Sequence, residues 1–311
     1  MAKPGTATSF KALFADIGQD YAWALQNPET LEGGDKIFRH VAYAEELGFR
    51  PLMMDVAVPA GEGPHPLIIY IHGGAWRLGS PYITNPQYRR MDFLGRFRRA
   101  GFAVASVAYR FTKEAAFPVQ LHDCKASIRY LRKHAAAFKI DPARIGVIGD
   151  SAGGHLATMV ALTGSVKSLE GKVGVREGPS AVSCAINWFG PTNFLTMQKQ
   201  KEKLASLGNT NDPASPESWL LGGPVMRFKA EAWAASPVNH AKKGAPPLLL
   251  QYGDKDRLVP FEQGEELYHA LKAKGCDVTL QRVAGADHCF WGVDPHAIVE
   301  ADITFFKQHL T

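Results

Sequence analysis

The sequence predicts an α/β fold: a mostly parallel central sheet flanked by helices, with an inserted helical cap. Three observations carry this. Short apolar runs alternate with helical patterns along most of the chain, as right-handed strand–helix–strand crossovers require. Runs such as Leu67–Ile71 (LIIYI) are apolar at every position, as strands covered on both faces must be. One stretch, about 191–245, breaks the rhythm and is too long for a plain loop in a compact domain.

Residues 1–50 read as an N-terminal extension of mixed pattern, broken by Gly33 and Gly34. Phe10, Leu13, Phe14 and Ile17 recur at helical spacing and predict a helix over 9–26. Two roles are open for the extension: covering the pocket as part of the cap, or joining two copies as a homodimer. The main domain then runs over 51–311. Leu52–Val58 predicts a strand, closed by Pro59 and the Gly61–Pro64 turn. Leu67–Ile71 is the next strand, followed by an arginine-rich helix over Pro86–Ala100 that Gly101 stops. Phe102–Tyr109 predicts a strand, and Val119–Phe138 a long amphipathic helix. Asp141-Pro142 marks a turn, Ile145–Ile148 a strand, and Ser151 to about Thr163 a helix of small residues. After strand Ala181–Trp188 comes the irregular stretch, read as the cap. The pattern resumes with strand Pro247–Tyr252, helix Phe261–Lys274, strand Val278–Val283 and helix Pro295–His309.

Composition excludes several classes. Of 311 residues, 46% are apolar and 21% charged, so wholesale disorder is ruled out. No apolar run approaches the roughly 20 residues that span a bilayer. The net charge of +5 is mild. Its densest cluster (Arg89, Arg90, Arg96, Arg98, Arg99) reads as a solvated helix face, so no nucleic-acid partner is expected. Cys124, Cys184, Cys276 and Cys289 form no CxxC pair. The first residues lack the apolar core of roughly 7–15 residues that a signal peptide carries. A cytoplasmic location with free thiols is the resulting expectation.

The sharpest chemical signal is Gly149-Asp150-Ser151-Ala152-Gly153, a G-x-S-x-G motif between a buried strand and a helix. A sharp strand-to-helix turn holds its corner residue in a strained conformation and lifts the hydroxyl above the sheet edge. A serine hydroxyl needs a base. His288, in the loop after the last strand, returns to that same edge, whereas His155 lies inside the following helix and His122, His134 and His269 sit on helices. The base needs a carboxylate to hold its tautomer. Asp254 and Asp256 both follow the strand ending at Tyr252, and Asp256, deeper in the loop, is the candidate. Asp254 is expected to bond amides of its own turn. His72-Gly73-Gly74-Ala75-Trp76 follows the first buried strand. N–H groups of Gly73 and Gly74, with that of Ala152, are candidates for stabilising an oxyanion, at about 3–4 kcal/mol per donor. His72 is expected to bond backbone and hold this loop open.

These pieces, HGGAW (72–76), DPARIGVIGDSAGGHLA (141–157), FGPTN (189–193), LLGGP (220–224), ASPVNH (235–240), YGDKDRLVP (252–260) and GADHCF (285–290), together resemble the α/β-hydrolase carboxylesterases of the HGGG type. That group includes hormone-sensitive-lipase-like and BD-FAE feruloyl-esterase-like enzymes. The order Ser, Asp, His is that of the fold. Ala75 stands where such loops usually carry a third glycine. The resemblance implies ester hydrolysis through an acyl-enzyme, with no cofactor and no metal, on a small-molecule ester. Trp76, Trp188, Trp219 and Phe290 are candidate substrate contacts near the sheet edge or in the cap. No long amphipathic lid suited to a lipid interface is visible, so short acyl, acetyl or feruloyl esters are expected. An amide or formamide hydrolase on the same residues is the alternative. A non-catalytic binding protein of this fold is disfavoured because all three candidate residues are present. A metal-dependent hydrolase is disfavoured because no HExxH motif occurs.

Overall fold

In the computed structural model, which describes residues 27–46, 48–82, 85–204 and 207–311, the apolar runs become strands of one sheet. They are β1 (Glu29–Thr30), β2 (Lys36–Ala44), β3 (Leu52–Val58), β4 (His65–Ile71), β5 (Ala103–Val107), β6 (Ile140–Asp150), β7 (Cys184–Trp188), β8 (Leu248–Gly253) and β9 (Val278–Val283). Their order across the sheet is β1-β2-β3-β5-β4-β6-β7-β8-β9. From β5 through β9 all pairings are parallel. β1, β2 and β3 join the β5 side antiparallel. Leu67, Ile68, Ile69, Tyr70 and Ile71 are all buried, as a doubly covered strand should be.

The helices are α1 (Pro86–Arg90), α2 (Phe93–Arg99), α3 (Val119–Lys133), α4 (Ala152–Thr163), α5 (Phe194–Lys201), α6 (Pro216–Leu221), α7 (Lys229–Ala235), α8 (Phe261–Lys272) and α9 (His296–Leu310). α3 and α4 pack together on one face. On the other, Phe306 of α9 meets Phe97 of α2, with ring centroids 5.7 Å apart. Gly146 of β6 permits that approach: a Cβ there would lie 2.7 Å from the Phe306 ring. β4 is followed by β5 on one side and, after α3, by β6 on the other. The strand order therefore reverses beside β4, and the crevice above the carboxyl ends of β4 and β6 is where such sheets hold ligands.

Two sequence expectations change. Residues 36–44 are β2, paired with β3, so the extension does not stand apart from the sheet up to residue 50. A register shift between Phe38 and Val41, with His40 at φ 53°, scrambles the alternation that would have revealed the strand. The predicted helix over 9–26 lies outside the described residues. The arginine-rich helix is two helices, broken at Asp92 in a left-handed conformation (φ 48°). Its charges are largely matched: Arg96 pairs with Glu300, Arg98 with Asp35 and Arg99 with Asp92. The 191–245 stretch carries α5, α6 and α7 between two paired parallel strands, β7 and β8. It is tied to α8 through Gln263, whose Oε1 accepts the Thr192 and Asn193 N–H groups at 2.8 Å each.

His155 shows how tightly this insertion is joined to the core. Its side chain is fully buried in α4. Trp76 Nε1 donates to His155 Nδ1 at 3.1 Å, so Nε2 carries the proton and donates to the Ala235 carbonyl at 2.7 Å. Burial lowers its pKa from 6.5 to about 4, against the opposing pull of the Ala235 carbonyl. Burial does the same to His72, also to about 4. The unfolded chain therefore takes up a proton near the ordinary value while the fold resists it, and stability falls as pH drops from 6.5 toward 4. The cost reaches about 3 kcal/mol per group at most. Asp302 and Asp150, whose carboxyls burial raises, act with the opposite sign in overlapping pH ranges. A variant comparison isolates the histidine. Between about pH 7 and about pH 4.5, the melting temperature of His155→Gln should fall less than that of the wild type. Equal falls in the two proteins would contradict a neutral His155.

Candidate active site

Ser151 stands at the corner between β6 and α4 with φ 53° and ψ −119°, a conformation that L residues rarely adopt. Its N–H donates to the Trp188 carbonyl of β7 at 2.8 Å, which pins the corner. The flanking glycines are steric requirements. A Cβ on Gly149 would lie 2.3 Å from Gly153 backbone, and one on Gly153 would lie 1.9 Å from the Ile71 carbonyl oxygen.

His288 Nε2 lies 3.0 Å from Ser151 Oγ, and His288 Nδ1 lies 2.8 Å from Asp256 Oδ2. A carboxylate only accepts, so Nδ1 carries the proton and Nε2 is left to accept from the serine. Asp256 is buried, and its other oxygen accepts the Leu258 and Val259 N–H groups at 2.8 Å each. Those two bonds fix the carboxylate plane. The Phe189 ring meets the imidazole edge-on at 4.8 Å. Asp254 does not bond its own turn. Its Oδ1 takes the Gly285 N–H at 2.8 Å, linking the β8 loop to the β9 loop. Asp287 adds a second link, pairing with Arg257.

The turn after β4 differs from expectation in its donors. The Gly73 N–H donates to Asp150 Oδ1 at 2.9 Å, so Gly73 is not free to serve an oxyanion. Asp150 Oδ1 also accepts from Tyr70 Oη at 2.8 Å, and the residue between Gly149 and Ser151 thereby holds the whole turn. Burial raises the Asp150 carboxyl, while the bonds from Tyr70 and Gly73 favour its charged form. The next N–H groups along the turn are those of Gly74 (φ 114°) and Ala75 (φ 54°). Both residues line the cavity that contains Ser151 and His288. Ala152 is the first residue of α4, so its N–H lacks an intrahelical acceptor. His72 Nδ1 donates to the Gly73 carbonyl at 2.7 Å, and the ring stacks on Tyr109 at 4.5 Å.

Two cavities meet at Ser151. One, about 360 Å³, lies along the β4 turn. The other, about 440 Å³, opens toward the insertion. Of the four candidate substrate contacts, Trp76 lines the second cavity, though its side chain is almost fully buried against His155 and Phe194. Trp188 and Phe290 are completely buried and pack on each other and on Phe189 beneath the site, so they do not contact substrate. Trp219 is half-buried between Arg77 and Lys113 and is not part of the cavity wall. Residues that sequence reasoning missed supply that wall, among them Met197, Lys201, Glu217 and Leu258. They come from loops and short helices with no motif of their own. Among the described residues no three His, Cys, Asp or Glu side chains gather closely enough to hold a metal ion.

Comparison with known proteins places this geometry. Esterase LipQ of Mycobacterium tuberculosis is 26% identical over 226 residues, covering 72% of this chain and 50% of that protein. The carboxylesterase NlhH of the same organism is 38% identical over 96 residues, covering 31% of this chain and 28% of its own length. The chain spans about half the length of the first curated relatives it matches. A truncated carbohydrate esterase from gut microbiota superposes with a TM-score of 0.76 at 30% identity, covering 88% of this chain and 95% of that one. An esterase of Thermogutta terrifontis, at 24% identity and a TM-score of 0.67, covering 86% of this chain and 92% of that one, shares the fold. The BD-FAE family model matches residues 54–271, from β3 through the end of α8. The α/β-hydrolase fold is thus shared with named esterases, and this chain belongs to the BD-FAE family.

Proposed function

We propose that this protein is a serine carboxylesterase acting on small carboxylic esters through an acyl-enzyme. The observation that carries the reading is the hydrogen-bonded line from Ser151 Oγ through His288 to Asp256, at 3.0 and 2.8 Å, beside a turn whose Gly74 and Ala75 line the same cavity. The names of the relatives, esterases and carboxylic ester hydrolases, agree with it.

Ser151 Oγ attacks the ester carbonyl as its proton passes to His288 Nε2. The carbonyl oxygen becomes an oxyanion, held by the N–H groups of Gly74, Ala75 and Ala152. Asp256 stabilises the imidazolium without taking its proton. The tetrahedral intermediate collapses: the C–O bond to the alcohol breaks, and His288 protonates the departing oxygen. Water then gives a proton to His288 and attacks the acyl-serine. A second collapse releases the acid and returns the proton to Ser151. The strain at φ 53° is a fixed cost of the fold, and it keeps Oγ aimed at the crevice.

The α5–α7 insertion acts as the cap over the larger cavity. At about 440 Å³, that cavity suits an acetyl, short acyl or feruloyl ester of the size of a small molecule. All four cysteines are free thiols, which fits action in the cytoplasm.

Ser151→Ala should abolish hydrolysis of a short p-nitrophenyl ester and labelling by a fluorophosphonate, with a loss on the order of 10⁵-fold or more. Wild-type rates in that variant would end the assignment. In a chain-length series, activity should peak well below about twelve acyl carbons; a peak at or above that length contradicts the small-ester reading. Asp150→Ala should free the β4 turn and lower kcat by on the order of 10- to 100-fold, with KM changed by less than about twofold. Asp150→Asn keeps an acceptor oxygen and should recover most of that loss. An unchanged kcat in Asp150→Ala would mean that the Asp150–Gly73 bond does not set the turn.

A further inference from the structure

Each N–H group of the turn after β4 belongs to a planar peptide unit, so its aim is set by whatever holds the carbonyl at the other end of that unit. Two of these units can be followed bond by bond. In the unit joining His72 to Gly73, the carbonyl accepts from Tyr109 Oη at 2.9 Å and the N–H donates to Asp150 Oδ1 at 2.9 Å. In the unit joining Gly73 to Gly74, the carbonyl accepts from His72 Nδ1 at 2.7 Å. The opposite end of that second unit is the Gly74 N–H, an oxyanion donor in the reaction proposed above. The His72 ring that holds it is stacked on the Tyr109 ring, with centroids 4.5 Å and planes 19° apart. Tyr109 therefore acts twice. Its hydroxyl fixes the first unit, and its ring fixes the imidazole that fixes the second.

Tyr109 is itself held from both sides. It follows β5, the parallel neighbour of β4. Before it, Ala108 donates its N–H to the Met53 carbonyl of β3 at 2.9 Å and accepts from Tyr43 Oη at 2.6 Å. After it, Arg110 bonds Asp123 of α3 through its backbone N–H and its Nε, at 2.9 Å each. The Tyr109 side chain is completely buried and lines neither cavity at Ser151, so it touches no substrate. Burial pushes the phenol well above its usual range, so the hydroxyl keeps the proton that it donates. We propose that Tyr109 is a positioning residue for ester hydrolysis, aiming the Gly74 N–H at the oxyanion through His72. This rests on the esterase reading above and gives a part in it to a residue that meets none of the reacting atoms.

Tyr109→Phe keeps the stacked ring and removes only the hydroxyl bond. With the purified full chain and p-nitrophenyl acetate, kcat should fall by on the order of tenfold while KM stays within about twofold of the wild type. Two readouts separate this from a general loosening of the fold. The first is the rate ratio between p-nitrophenyl acetate and its thiono analogue, in which C=S replaces C=O. Sulfur accepts hydrogen bonds more weakly than oxygen, so a misaimed donor costs the oxygen ester more, and the ratio should fall by about threefold or more. The second is a double variant. Asp150 and Tyr109 hold opposite ends of one peptide unit, so Tyr109→Phe combined with Asp150→Ala should lose less than the product of the two single losses. Should Tyr109→Phe fail to fold, Tyr109→4-fluorophenylalanine, which fills the space of the hydroxyl without donating, takes its place in both measurements. An unchanged kcat, an unchanged thiono ratio, or a double loss equal to that product or larger overturns the proposal. A wild type inactive on p-nitrophenyl acetate overturns the esterase reading together with it.

Discussion

The contact between the end of β4 and the start of α4 sets the terms for everything around it. Gly153 lies so close to the Ile71 carbonyl that even a methyl group would intrude to 1.9 Å. Backbone against backbone at this range brings two loops from distant parts of the sequence into one small volume. One is the Ser151 corner; the other is the turn through Gly73, Gly74 and Ala75. Asp150 then converts proximity into fixed geometry by accepting from both Tyr70 and Gly73. A left-handed serine costs on the order of 1–3 kcal/mol. The buried α4 and the Ser151 N–H bond to Trp188 make that conformation tolerable. Strand order contributes as well, because the sheet reverses direction beside β4 and leaves open the crevice that these loops line.

Parts of this arrangement were legible because each carries a local physical signature. Continuous apolar runs marked β4, β6 and β8, since a strand covered on both faces has no polar face to alternate with. The Ser151 corner was legible because only glycine fits at 149 and 153. His288 and Asp256 could be chosen from competing residues because both follow parallel strands and so return to one edge. β2 was not legible: its bulge near His40 destroys the alternation on which reading a half-buried strand depends. Gly73 was misread for a different reason. Sequence shows that its backbone can approach a substrate closely, but not that an aspartate 77 residues away has already taken its N–H. Trp188 and Phe290 were misjudged because an aromatic residue near a sheet edge packs inward as readily as outward.

The paired loops after β8 and β9 show how a flexible-looking segment is made rigid without regular structure. Asp254, Asp256 and Asp287 each spend carboxylate oxygens on backbone N–H groups at 2.8–3.1 Å. Charge-assisted bonds of this type are stronger than neutral ones. Five of them, from three aspartates across two loops, leave the imidazole little freedom. The Phe189 ring closes the remaining side. Orientation of His288 is thus inherited from acidic residues, of which Asp256 holds its ring and Asp287 its backbone N–H.

On the proposed reading, chemistry and recognition are separated in this molecule by the origin of their residues. Ser151, Asp256, His288 and the β4 turn all sit at the ends of parallel strands, where the sheet's hydrogen bonding limits movement. Much of the larger cavity's wall comes instead from short helices and turns between β7 and β8. These are anchored to the core by side-chain bonds, such as those of Gln263 and His155, and not by sheet pairing. An exchange at Met197 or Glu217 alters the cavity without touching a sheet hydrogen bond. An exchange at Gly149 or Gly153 cannot avoid disturbing the sheet. The same backbone can therefore keep one reaction while its wall is rewritten for another ester, and the identity of the substrate is to be sought in the insertion rather than in the motifs.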